Sequence, residues 1–124
     1  MQEEFKILAA AESGNLALFE LLITPTTNFN FVDTNGLSTL MHAAANGHVS
    51  ITSNLIQSGA QLDLQDKYGR SALMFAASRN HAEIAQLLIE AGAQLELTNS
   101  LGETALIRAA SYGNTTVTKY LLTA

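Results

Sequence analysis

Three histidines, His42, His48 and His81, are the side chains best suited to move a proton near neutral pH or to ligate a metal. Their placement argues for neither. His48 and His81 stand 33 residues apart and so share one position of a repeating pattern, while His42 falls elsewhere. A zinc site needs ligands converging on one point, and cysteine, the other common ligand, is absent. No metal site and no cofactor is expected. The sequence also lacks G-x-S-x-G, the glycine run of a phosphate-binding loop and H-E-x-x-H. Asp63 and Glu96 could approach one another, yet nothing in the sequence builds a cleft around them, and they read as solvated residues. Asn114-Thr115-Thr116 fits a glycosylation sequon, but Met1 to Leu8 has no basic start and apolar run of the secretory kind, so the match reads as accidental. An enzyme is not expected.

Recognition chemistry is better represented. Tyr68, Phe75 and Tyr112 are interleaved with Arg70, Arg79 and Arg108. Aromatic residues and arginine dominate the hot spots of protein interfaces. Nucleic acid is excluded as a partner, because the net charge is −5 and the six Lys and Arg residues form no cluster that would neutralise phosphates. No stretch is apolar enough to span a membrane. A monomeric cytoplasmic protein is expected.

The elements that hold these residues follow from an internal repeat. Gly36, Gly69 and Gly102 are spaced by 33 residues, as are Ala43-Ala44, Ala76-Ala77 and Ala109-Ala110. Segment 33–65 matches 66–98 at 16 of 33 positions. The register extends back to Ala10-Ala11 and Gly14, giving one domain of four units: about 1–32, 33–65, 66–98 and 99–124. Each full unit opens on turn residues: Asp33 to Gly36, Asp66 to Gly69 and Asn99 to Gly102. Ser38, Ser71 and Thr104 then stand as helix N-caps. A short helix follows. Gly47 ends it in a left-handed conformation, a role that falls to Asn80 one unit later. A second helix, Val49 to Gln57 in the second unit, buries Ile51, Leu55 and Ile56. Gln61 to Leu64 alternates polar and apolar as an extended arm. Helix pairs should begin near Glu3, Thr39, Ala72 and Ala105.

This pattern resembles the ankyrin repeat over the whole chain. The family motif D-x-x-G-x-T-P-L-H-x-A-A-x-x-G-H falls on Asp33 to His48, Asp66 to His81 and Asn99 to Asn114. The motif's Pro is replaced by Thr39, Ala72 and Ala105, and its first His by Met41, Met74 and Ile107, which should remove turn contacts that the family uses. The resemblance implies an all-α solenoid of helix-turn-helix units with β-turn-tipped arms. His48 and His81 then take a structural position.

The resemblance also implies a function: binding another protein on the concave side, made of turn tips and first helices. Carried over position by position, that side holds four ladders: Asn35, Tyr68 and Leu101; Leu37, Arg70 and Glu103; Asn46, Arg79 and Tyr112; and His42, Phe75 and Arg108. The last is expected to be half-buried between units. An acidic or aromatic-bearing partner segment would suit the arginines. A structural alternative is that Arg70 pairs with Glu103 and Phe75 stacks on Arg108. A functional alternative is a regulatory or scaffolding ankyrin segment of a larger protein.

Two further expectations concern weak points. Asn54 occupies the position of Leu21, Leu87 and Tyr120, which reads as core-facing, so its amide should find a backbone partner or lie at the edge of the stack, the alternative being a local weak point in the solenoid. Gln2, Glu3, Glu4, Lys6 and Glu12 suit an N-terminal cap, whereas Leu121, Leu122 and Ala124 leave the last helix poorly protected. That helix should therefore be the least stable element, unless the natural chain continues.

Overall fold

The computed structural model describes residues 2–124, apart from the side chain of Gln2, so the cap role expected of that side chain lies outside the described residues. Among the described residues eight helices form four antiparallel pairs: α1 (Gln2–Ser13) with α2 (Leu16–Leu22), α3 (Thr39–Ala45) with α4 (Val49–Gln57), α5 (Ala72–Ser78) with α6 (Ala82–Glu90), and α7 (Ala105–Ser111) with α8 (Thr115–Thr123). First helices stack on first helices and second on second, an all-α solenoid. Among the described residues the only β-pairing outside helices is an isolated bridge between Val32 and Ser38.

Local chemistry explains the start and stop of each pair. The hydroxyls of Ser38, Ser71 and Thr104 accept from the amides of Met41, Met74 and Ile107 at 3.2, 3.3 and 3.3 Å. The contact expected to vanish with the motif histidine is partly replaced, since Met41 Sδ accepts from the Ser38 amide at 3.5 Å. Gly47 and Asn80 end their helices at φ 77° and 59°. The helices stack closely because Ala43, Ala44, Ala76, Ala77 and Ala109 are fully buried where they meet.

Three long-range contacts repeat along the stack. His48 Nε2 meets the Glu12 carbonyl at 2.8 Å, and His81 Nε2 meets that of Ala45 at 3.1 Å. Asn114 replaces the histidine in the last unit, donating from Nδ2 to the Ala77 and Ser78 carbonyls. Successive turns are tied by Lys67 N donating to Asn35 O at 3.0 Å and Ser100 N to Tyr68 O at 2.8 Å. The arms are tied by Asn30 and Asp63, whose carbonyl and carboxylate oxygens accept from the amides of Gln61 and Gln94 at 2.9 Å each. Asp63 is therefore an arm fastener.

Two expectations are corrected. The Asn54 position is not core-facing: Asn54, Leu87 and Tyr120 are half-buried, and Leu21 is 79% exposed. The core is filled one residue further on, by Leu55 and Leu88, so an amide at 54 keeps access to water. At the other end of the stack, Leu121 is buried, and it is Leu122 and Ala124 that lie open.

Candidate functional site

The concave side is built by the turns, and each turn is held by the residue that opens it. Asp33 Oδ1 accepts from the amides of Asn35 and Leu37, Asp66 Oδ1 from those of Tyr68 and Arg70, and Asn99 Oδ1 from those of Leu101 and Glu103, all at 2.8–3.0 Å. The backbone arrangement is the same three times over. The second polar atom of each opening residue is used in three different ways.

In the second unit, Asp33 Oδ2 meets His42 Nε2 at 2.9 Å, and His42 Nδ1 reaches Glu12 Oε2 at 3.4 Å. His42 thus bridges the first two units. Burial would raise the pKa of Asp33, but the amides of Leu37 and Asn35 and the His42 ring outweigh it and hold the carboxyl below its ordinary value.

In the third unit, Asp66 Oδ2 takes both Nε and Nη2 of Arg70 at 2.8 Å, a forked ion pair with a fully covered carboxylate. The Arg70 guanidinium lies 4.7 Å from the centre of the Phe75 ring and 5.1 Å from that of Tyr68. Arg79 lies 5.9 Å from the same Phe75 ring and donates to the Ala45 carbonyl at 3.1 Å.

In the fourth unit, Asn99 Nδ2 donates to Glu103 Oε1 at 3.0 Å, and the same oxygen takes Arg108 Nη1 at 3.2 Å. The Asn99 hydrogen bond, above all, together with Arg108, holds Glu103 below its ordinary pKa against a small opposing effect of desolvation. Arg108 also donates to Ser78 Oγ and to Tyr112 Oη, both at 3.1 Å, and sits 4.9 Å from the Tyr112 ring centre.

These arrangements revise two pairings that the ladders suggest. Arg70 pairs within its own turn and not with Glu103, and Arg108 stacks on Tyr112 and not on Phe75. Asp66 lies four residues from Arg70 in the same turn, and its carboxylate takes the guanidinium at 2.8 Å. Phe75 is buried, at 5% exposure, and so supports the face from beneath. Arg79 and the rings of Tyr68 and Tyr112 do reach solvent, with exposures of 50% for Tyr68 and 58% for Tyr112, as does Leu101 at 78%. Asn35 and Asn46 are exposed, and Leu37 is half-buried.

The third and fourth units enclose a cleft of about 290 Å³ lined by Arg70, Met74, Phe75, Ser78, Arg79, Asn99, Arg108 and Tyr112. A shallower depression of about 330 Å³ adjoins it, bordered by Tyr68, Arg70, Asn99, Ser100, Leu101 and Arg108. Met74, Ser78 and Asn99 are lining residues that the ladders did not supply. Asn99 carries a readable signal, as the turn opener four residues before an acid. Ser78 is legible as the first-helix residue before Arg79, but its bond to Arg108 is not, because it spans 30 residues. No group of three or more potential metal ligands occurs among the described residues.

Comparison with known families decides the wider kinship. A family model described as ankyrin repeats (3 copies) matches residues 7–99, and a second, ankyrin repeats (many copies), matches residues 83–122. The chain belongs to the ankyrin-repeat family. No curated protein matches it significantly. Ankyrin repeats are in general protein–protein interaction modules without catalytic activity. No helix among the described residues is long and apolar enough to cross a membrane.

Proposed function

We propose that this ankyrin-repeat chain is a protein-interaction module, a single domain of four units, that binds a partner protein through the concave side of its third and fourth units. The observation that carries the reading is the cleft there, in which Arg70 is fixed by Phe75 and Asp66 and Arg108 by Glu103, with an exposed Tyr112 in its lining and an exposed Tyr68 and Leu101 on the adjoining depression. Side chains held in place lose little freedom on binding, which favours affinity. The opposite side offers Gln57, Gln86, Glu90 and Lys119, exposed and polar, a composition poor in hot-spot residues.

The test is affinity for a partner recovered by pull-down with the intact chain. Arg79→Ala or Tyr112→Ala should weaken binding by about 1–3 kcal/mol, with the helical circular dichroism spectrum unchanged. Gln86→Ala should leave affinity as it was. Loss of binding in the Gln86 variant, with the other two unaffected, would place the site on the wrong side.

A further inference from the structure

The cleft between the third and fourth units is unbalanced in charge, and the imbalance names a ligand chemistry. Three guanidiniums line it. That of Arg70 is matched by Asp66, and that of Arg108 by Glu103. Arg79 donates one bond, from Nη1 to the neutral carbonyl of Ala45, and among the described residues has no ion pair. A guanidinium has five N–H donors, so the outer edge of Arg79 keeps donors for a ligand. Arg108, by contrast, is spent on Ser78, Glu103 and Tyr112 and acts as a fixed wall.

Apolar side chains lie beneath this charge. Arg70 and Arg79 both rest on Phe75, which is buried, and Met74 beside it is buried as well. Arg79 itself stays exposed above that floor, so its charge is accessible to a ligand. The cation is also held in place before any ligand arrives, by the ring and by the Ala45 carbonyl.

The geometry points to a carboxylate pocket: an Asp or Glu side chain of an extended partner segment pairs with Arg79 in the cleft, while a neighbouring apolar residue of that segment fills the adjoining depression beside Tyr68 and Leu101. This rests on the concave-face reading and gives its partner a chemistry. The cleft's volume of about 290 Å³ suits one inserted side chain. One uncompensated guanidinium matches a monoanion, and a phosphate dianion would bring in more charge than the cleft lacks. A planar carboxylate also suits the forked donors of arginine.

The experiment selects short random peptides displayed on phage against the full chain, then measures the synthesised winners by fluorescence anisotropy. Enriched peptides should carry Asp or Glu next to an aromatic or aliphatic residue. Arg79→Ala should weaken them roughly tenfold or more, and so should changing the peptide acid to its amide, with no further loss when the two changes are combined. Arg79→Gln, which removes the charge and keeps a polar side chain of intermediate length, guards against a folding defect and should show the same loss. Arg79→Glu should accept the peptide in which Lys replaces the acid.

Winners without an acid that respond to Tyr112→Ala but not to Arg79→Ala would overturn the carboxylate pocket and leave the concave-face reading standing. Winners that respond only to Gln86→Ala would overturn both. Tighter binding when phosphoserine replaces the acid would overturn the choice of carboxylate. Failure to enrich any peptide would overturn the pocket as a site for extended segments.

Discussion

The second unit and the third carry the same turn, the same helix pair and nearly the same core, yet their concave sides are put to different use. In the second, Asp33 and Glu12 hold His42 between two units, and the positions beside it, Asn35 and Asn46, are small and polar. In the third, the equivalent positions are Asp66, Phe75, Tyr68 and Arg79, and they support a cleft with the fourth unit. The backbone hydrogen bonds of the two turns are indistinguishable. A repeat therefore fixes where side chains point, and the few positions the turn does not need decide whether a unit holds its neighbour or presents a surface.

The sharpest way to break that equivalence is through the turn glycines. A Cβ on Gly69 would lie 2.9 Å from the Asn99 backbone at a φ of 76°, whereas one on Gly102 at φ 77° would meet nothing within 4 Å. Gly69→Ala should cost about 3 kcal/mol, from left-handed strain plus forced separation of the tips, and Gly102→Ala about 1–2 kcal/mol from the strain alone. Urea denaturation of both variants checks this, and equal losses would mean that tip contact contributes nothing.

A smaller difference should separate the turn carboxylates. Asp66→Ala strands two amides and the Arg70 guanidinium, and should cost about 2–3 kcal/mol, allowing for the part-exposure of Arg70. Asp33→Ala strands two amides and a histidine that retains Glu12 nearby, and should cost about 1–2 kcal/mol. Thermal melts at neutral pH would reveal the order, and a reversed order would deny Asp66 its supporting role.

On binding, the matching pair is Arg79 and Asn46. Against the loss expected for Arg79→Ala, Asn46→Ala should change partner affinity by less than about 0.5 kcal/mol, as calorimetry would show. An equal loss would extend the site into the second unit.

The smallest effect lies in acid. Asp33 and Glu103 are held below their ordinary pKa values in the fold. Each therefore contributes stability that is complete above its unfolded value, around pH 4, and is lost as pH falls through its folded value. Melting temperature should be steady down to about pH 5 and then decline. Asn99→Ala removes the largest influence on Glu103 and should raise its titration midpoint, while leaving that of Asp33 alone. Carboxyl carbon NMR would follow both, and an unmoved Glu103 would contradict the assigned hydrogen bond.

Much of the fold was legible in the sequence because the backbone demands particular residues. Gly47, Asn80, Ser38, Ser71 and Thr104 each do what their spacing predicts, and the helices begin at Thr39, Ala72 and Ala105 as expected and at Gln2, one residue before the expected Glu3. The pairing of side chains on the concave face was less legible. Arg70 had Asp66 and Glu103 within its choice of partners, and Arg108 had Phe75 and Tyr112. Position in a ladder says which residues are neighbours, but chain reach and rotamer decide which of them meet. Asn54 was misread for a related reason, since a position that carries Leu or Tyr in three units can still be half-exposed when its successor fills the core.

The central claim, that a partner sits on the concave side of the third and fourth units, is tested most directly by hydrogen exchange of the chain with and without a bound partner. The account predicts added protection at the turn amides of Tyr68, Arg70, Leu101 and Glu103 and along α5 and α7, with α4 and α6 unchanged. Protection gathered on the outer helices α4, α6 and α8, with those turns exchanging as in the free chain, would contradict it.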